Sequence, residues 1–361
     1  MIFTPLQARP LIIWYQTHKR DLPWRDTGDP YDVWISEIML QQTRVEFVKD
    51  RFLQFRKELP DIPALADCSD EKLMKLWEGM GYYSRARNLK KCAQILCDNY
   101  QASLPKTAEE LAALPGIGPY TAGAIASIAY GQPVPAVDGN VLRVIARYFE
   151  DDRDIRDAAV KADVTASIQQ FYDSCSEELM NEFPDLPSLL NQALMELGAI
   201  VCVPNGQPKC TECPWNGTCG ACLHQKTDQI PYRSALKQRR IEQRTILVIL
   251  DGSRFLLHKR PDKGLLAGLY EFPGYDGYRS RKEVLDAVRK LGLSPVRIKQ
   301  LPDSRHIFSH IEWHMKTYEI LTDNIDQNLP EGYVLLNKKE LRSFAVPSAF
   351  HTYKDWYFLQ E

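Results

Sequence analysis

The chain has 361 residues, of which 44% are hydrophobic and 25% charged, and its net charge is −2 at pH 7. Those values describe ordinary globular protein of two or three domains. No segment reaches the roughly 18 apolar residues that cross a bilayer, which excludes a helical membrane protein. The near-neutral charge does not announce a nucleic-acid partner, although a basic groove can sit on a balanced chain because phosphate responds to the local field.

The start, MIFTPLQARPLIIWYQTHKR, has no basic n-region and no small-residue cleavage site, so it reads as the first helix of a cytoplasmic protein. Residues 1 to about 222 read as nearly all helix. Pro30 follows Asp29 as a good first helical residue, and the helix it opens runs YDVWISEIMLQQTRVEFVKDRF. Val33, Trp34, Ile38, Met39 and Leu40 spread apolar groups almost all the way round it, the mark of a buried helix. Glu37 lies on the face of Val33, Trp34 and Gln41. A carboxylate there is either paired with an arginine such as Arg25 or Arg44, or is a general acid that desolvation keeps protonated near neutral pH.

Amphipathic helices are expected at Asp70–Glu78 and Arg85–Asn99. Between them, GMGYYSRARN sets Tyr82 and Tyr83 beside Arg85 and Arg87, a mixture suited to base stacking and phosphate contact or simply to aromatic packing at a helix start. Next comes LPGIGPYTAGAIASIAYGQPVPAVDGNVLR, residues 114–143. Pro115, Gly116 and Gly118 predict a tight turn before a small-residue helix from Tyr120 to about Tyr130. Such a turn leaves helix-start N–H groups free for an anion. Asp138 follows within reach of a bound backbone, or serves, like Asn140, only to cap the helix Val141–Phe149. Further helices fill 151–200 and end in LNQALMELGAIVC.

Five of the nine cysteines fall within 21 positions, a density that in a cytosolic chain points to metal rather than disulfides. Cys202, Cys210, Cys213 and Cys219 have the spacing C-x7-C-x2-C-x5-C, which allows zinc or [4Fe–4S]; Cys222 is a possible substitute ligand. His224–Arg244 is polar and basic, with Arg233, Lys237, Arg239, Arg240 and Arg244, and reads as a linker that is solvated or follows DNA phosphates. From Thr245 the pattern turns to short strands, TILVIL and RFLLHKR, then a helix in RKEVLDAVRKLGL and more strand in HIFSHIEWHMKTYEIL. The expected organisation is a helical domain over 1–222, a linker over 223–244 and an α+β domain over 245–361.

Taken together, DPYDVWISEIMLQQT, GMGYYSRARN, LPGIGPYTAGAI…VDGNVLR, the cysteine cluster, and KGLLAGLYEFPG with FSH resemble the MutY family of adenine DNA glycosylases along essentially the whole length. The resemblance implies an all-α helix-hairpin-helix domain with a [4Fe–4S] cluster on Cys202, Cys210, Cys213 and Cys219, followed by a Nudix-like α+β domain. It departs from the family's pattern in one place: the first cysteine gap is seven residues instead of six.

By that resemblance the substrate is double-stranded DNA holding adenine opposite 8-oxoguanine or guanine, and the enzyme is a monomer with no membrane partner. Glu37 would protonate adenine at N7. Asp138 would stabilise the oxocarbenium-like transition state and capture it covalently before Glu37 activates water, the two-carboxylate logic of retaining glycosidases. Tyr120 would hydrogen-bond near Asp138, and Asn140 would position Asp138 and water. Trp24, Arg25, Leu40 and Gln192 would form the pocket for the flipped base. Gln42 and Tyr82 would enter the base stack, and Gly116 and Gly118 would grip the phosphate backbone. Phe308, Ser309 and His310 would meet 8-oxoguanine, with Ser309 at the tip of a β-hairpin.

Strand-cleaving relatives carry a lysine where this chain has Tyr120, so base removal without strand cleavage is expected. An endonuclease III-like glycosylase/lyase for oxidised pyrimidines is the competing reading. Hydrolysis of oxidised nucleoside triphosphates fails because KEVLDAVRKLGL lacks the paired glutamates of a Nudix box.

Overall fold

The computed structural model describes residues 2–235, 238–323, 325 and 329–358. Lys237 of the basic run lies outside them. By its contacts the chain forms two compact units: Met1–Asp67 with Asn88–Ala235, and Cys68–Arg87 with Leu236–Glu361. No helix among the described residues is long and apolar enough to cross a membrane.

The first unit is helical. Its opening helix, Pro5–His18, starts in a capping box between Thr4 and Gln7, which satisfies two helix-start donors at once. Pro30–Leu40 begins with the Asp29 carboxylate accepting from Tyr31 N, and Tyr31 to Met39 are all buried, as the all-round apolar pattern requires. The helix is shorter than the sequence suggests. It stops at Leu40, and a separate helix, Val45–Glu58, follows. The break is a turn in which Gln42 has φ 58°, a left-handed conformation that an α-helix cannot contain.

The tight turn before the small-residue helix is present. Gly116 has φ 81°, and a Cβ there would lie 2.7 Å from Asn88 Cβ, so both the backbone conformation and the space demand glycine. Gly118 caps Pro119–Tyr130 without a side-chain hydrogen bond. Gly139–Phe149 and Leu186–Ile200 complete the set of helices that carry the site. Their apolar faces meet in one core with the opening helix, through residues such as Leu11, Val141, Ile145, Leu190, Leu194 and Leu197.

The second unit is built on a seven-stranded sheet, β1 (Arg240–Asp251), β2 (Arg254–Lys259), β3 (Tyr270–Glu271), β4 (Gly274–Asp276), β5 (Ser294–Ile307), β6 (Ile311–Asp323) and β7 (Tyr333–Asn337). The main order is β3-β2-β1-β6-β5, with β4 on β1 and β7 on β2. All pairings are antiparallel except β1 with β6. Strand alternation sends Ile246, Val248, Phe255 and Leu257 into one core and Leu247, Ile249 and Leu256 into the other. The helix Arg281–Lys290 covers the second face with Val284 and Val288.

Strand β1 starts at Arg240, five residues before the apolar run, so Arg240–Arg244 is strand rather than linker. Its pairing with Ile311–Met315 supplies the backbone partners that the polar sequence conceals. The segment Cys68–Arg87 packs with this unit: Arg87 donates to the Ala267 carbonyl at 2.8 Å and Val346 N to Glu78 Oε1 at 3.3 Å.

Candidate active site

The helical unit holds a cavity of about 540 Å³ whose walls include Trp24, Arg25, Glu37, Leu40, Gln42, Tyr120, Asp138, Asn140 and Gln192. These are nine of the residues singled out from the sequence, drawn from four helices and the loops that precede or follow them. Glu37 projects from the third turn of the buried helix Pro30–Leu40 and is only 8% exposed. It has no ion pair among the described residues. Arg25, its expected partner, instead pairs with Glu196 at 2.7 Å. Burial therefore dominates and pushes the Glu37 carboxyl up to about 7. The Tyr120 hydrogen bond and the Arg25 charge pull it down, and the Asp138 charge adds to the rise.

Tyr120 sits in the first turn of Pro119–Tyr130. Its hydroxyl donates to Glu37 Oε2 at 2.7 Å and meets Met195 Sδ at 3.1 Å. Its partner is thus Glu37, where the resemblance had suggested a role beside Asp138. Asp138 is the N-cap of Gly139–Phe149. Its Oδ1 accepts from Asn140 N at 2.9 Å and Val141 N at 2.8 Å, and its Oδ2 from Asn140 Nδ2 at 2.7 Å. Burial raises the Asp138 carboxyl too, but those three donors and the Arg143 charge oppose it. One carboxyl accepts a single hydrogen bond and the other three, so the Asp138 anion is better supplied with donors than that of Glu37, although burial on balance still holds Asp138 above its ordinary value.

Asp138 is held from both sides. The preceding chain is tied by buried Asn191, which accepts from Ala136 N at 3.0 Å and donates to the Val134 carbonyl at 2.8 Å. On the other side Arg143, 3% exposed, donates to Asn140 Oδ1 and the Gly198 carbonyl, both at 2.8 Å, and to the Cys202 carbonyl at 2.8 Å. Gly198 allows this closeness: a Cβ there would lie 2.6 Å from Asn140 Cβ.

A model of HhH-GPD superfamily base excision DNA repair proteins matches residues 35–170, and a NUDIX domain model matches residues 245–355. A solved endonuclease III–DNA complex aligns with 62% of this chain and 99% of its own at 22% identity, with a TM-score of 0.49. The adenine DNA glycosylase of Mus musculus is 33% identical across 96% of this chain and 77% of its own length. That of Buchnera aphidicola subsp. Baizongia pistaciae is 32% identical across 87% of this chain and 86% of its own. The chain belongs to the adenine DNA glycosylase family.

In this member of the adenine DNA glycosylase family, Cys202, Cys210, Cys213, Cys219 and Cys222 all line a second cavity of the helical unit, with Val144, Leu197, Val201 and Trp215. The seven-residue first gap does not keep Cys202 out of it. Arg147, buried, aims its guanidinium at Cys202 Sγ at 3.4 Å. Among the described residues, no group of three or more His, Cys, Asp or Glu side chains is set closely enough to hold a metal ion as it stands.

Of the other predicted residues of this glycosylase family member, Gly116 and Gly118 stay in the helical unit at the turn before Pro119–Tyr130, and the rest lie in the second unit. Tyr82, Phe308, Ser309 and His310 line one cavity of about 350 Å³, beside Leu265, Leu266 and His306. Phe308 to His310 form the link between β5 and β6, and Ser309 Oγ lies 3.0 Å from His310 Nδ1. Tyr82 is 45% exposed, at φ 45°. It shares with Gln42 a left-handed backbone that costs a non-glycine residue energy and is retained where geometry over-determines it.

The sequence reading missed Arg20, Lys161, Met195 and Glu196, which also line the adenine DNA glycosylase cavity. For Glu196 a signal exists: like Glu37, it is a lone carboxylate in an apolar helical stretch, LNQALMELGAI.

Proposed function

We propose that the chain excises adenine from duplex DNA in which it faces 8-oxoguanine or guanine, by hydrolysing the N-glycosidic bond without cutting the strand. The observation that carries this reading is the pair of unlike carboxyls, Glu37 and Asp138, on one cavity. Glycosidic cleavage needs an acid for the leaving group and an anion for the developing oxocarbenium charge. Glu37, with its carboxyl at about 7, is protonated in about half of the molecules at neutral pH and can give that proton to adenine N7. Asp138, supplied with three donors, serves as the anion that faces the sugar and captures it. Glu37, deprotonated by the first step, then takes a proton from the attacking water. Trp24, Leu40, Arg25 and Gln192 supply apolar and polar walls for a base turned out of the duplex.

For the cysteine site, the donor set supports a [4Fe–4S] cluster on Cys202, Cys210, Cys213 and Cys219. The thiols share an apolar cavity, and the Arg147 guanidinium is placed to donate to a thiolate. Bound there, the cluster would tie the loop 202–219 together. In the second unit, the cavity shared by Tyr82 and Ser309 supports recognition of 8-oxoguanine, the ring for stacking and the hydroxyl for a hydrogen bond. Pyrophosphate chemistry finds no support: Glu283 is used in a capping box with Ser280, and Glu271 is paired with Arg260 at 2.6 Å. Ser309→Ala is expected to lower the preference for 8-oxoguanine over guanine by about 2–10-fold, the worth of one hydrogen bond, measured as the ratio of binding constants for the two duplexes. An unchanged ratio removes Ser309 from the recognition site.

The test of the function is single-turnover incubation with a duplex holding one adenine opposite 8-oxoguanine, with and without alkaline workup. A strand break only after alkali is expected. A break without alkali would assign lyase chemistry, with Lys161, the lysine on the cavity wall, as first candidate. No break in either arm, from protein carrying its cluster, sinks the reading.

A further inference from the structure

Glu196 is the most thoroughly buried charge near the cavity, its side chain 1% exposed, and no step of the two-carboxylate mechanism uses it. It stands one turn past Gln192 on Leu186–Ile200. Its Oε1 accepts from Arg20 N at 2.9 Å and Arg20 Nε at 2.8 Å. Its Oε2 accepts from an Arg20 terminal nitrogen at 2.9 Å and an Arg25 terminal nitrogen at 2.7 Å. Arg25 is fixed further by donating to the Arg20 carbonyl at 2.8 Å and by lying over the Tyr15 ring, 5.5 Å from its centre.

We propose that Glu196 is a positioning and charge-balancing residue of the active site: it locks Arg20 and Arg25 into the cavity wall and cancels one of their two charges, so that Glu37 keeps its proton at neutral pH. The inference rests on Glu37 being the acid. The charged and titratable groups that bear on Glu37 are few. Tyr120 faces it from Pro119–Tyr130, Asp138 from the start of Gly139–Phe149, and Arg25 from the loop before its own helix. Arg20 and Lys161 complete the charged lining, and Gln41, Gln42 and Gln192 are neutral. Arg25 is the cation that favours the Glu37 anion. Two arginines against one glutamate leave one positive charge beside the cavity; without the glutamate there would be two. Burial works against the Glu196 anion, yet the hydrogen bonds from Arg20 and Arg25 overcome it and bring the carboxyl to about 2, so the balancing charge is present at every working pH.

The test is the pH dependence of single-turnover adenine release. Activity needs protonated Glu37, so in the parent protein the rate falls as pH rises through about 7. Glu196→Gln, which keeps the shape but not the charge, is expected to move that alkaline limb down by about one pH unit, the effect of a newly uncompensated cation. Duplex binding measured at the same pH values stays unchanged. Arg25→Gln is expected to move the limb the other way, and the double variant to return it towards its original position. A purely structural role for Glu196 would lower the rate equally at all pH values, and that result overturns the proposal. Should Glu196→Gln fail to fold, Arg25→Gln decides alone, since an unmoved limb there leaves Glu196 nothing to balance. A parent profile with no limb near 7 would refute Glu37 as the acid, a failure distinguishable from that of Glu196.

Discussion

Glu37→Gln is expected to stop adenine release and at the same time to yield a protein more stable than its parent above pH 7. The rate should fall by about a thousandfold or more, within the range that general acids contribute. The stability gain follows from the proton. In the folded chain the Glu37 carboxyl is raised from 4.5 to about 7 by burial. Between those values the folded state holds a proton that the unfolded state releases, so stability declines as pH climbs through the window and is fully reduced above it. At pH 8 the cost is on the order of 3 kcal/mol. A glutamine does not bear it, and its amide oxygen can still accept from Tyr120. Thermal melts of the two proteins should therefore coincide at pH 4 and separate by several degrees at pH 8. A variant less stable than the parent at pH 8 would mean that Glu37 is held as an anion, which is incompatible with its acting as the acid.

Asp138 separates structure from chemistry in the opposite manner. As an N-cap it accepts from two backbone N–H groups, a task that asparagine performs as well as aspartate. Asp138→Asn keeps the cap but turns its amide nitrogen towards Asn140 Nδ2, a donor facing a donor, and is expected to lose about 1 kcal/mol, whereas Asp138→Ala loses the cap as well, about 1–2 kcal/mol. Both should lose adenine release by about a thousandfold, because neither can face a developing cation with a negative charge. Single-turnover rates beside melting curves make the comparison. Near-parental activity in Asp138→Asn would reduce the residue to a helix cap.

Much of this was legible in the sequence, and for local reasons. The apolar surround of Glu37, the glycine turn before Pro119 and the alternation in TILVIL each state their structure within a dozen residues. What escaped the reading depends on distant partners. The polar strand Arg240–Arg244 looks like a linker because its mates, Ile311 to Met315, come 71 residues later and pair in parallel. The turn at Gln42 carries no glycine or proline to mark it. Nothing in GMGYYSRARN announces that the segment packs with the second unit. In the site, Glu37 and Asp138 could be singled out, but the exchange that leaves Glu37 without Arg25 could not, since it depends on Arg25 finding Glu196 across 171 positions. The resemblance supplied the pocket residues, and the hydrogen-bond partners that distinguish the two carboxyls came only from their neighbours in space.

The missing side chain at Gly198 has a wider bearing. With an added Cβ only 2.6 Å from that of Asn140, the orientation of Asn140, and through it of Asp138, is set by how closely two helix backbones can approach. Tolerance at that crossing is less than one methyl group. A lineage could keep every reacting residue and still lose the chemistry through a single carbon atom at a position that touches no substrate. Conversely, the spacing of these helices is itself a part of the site, as much as the groups they carry.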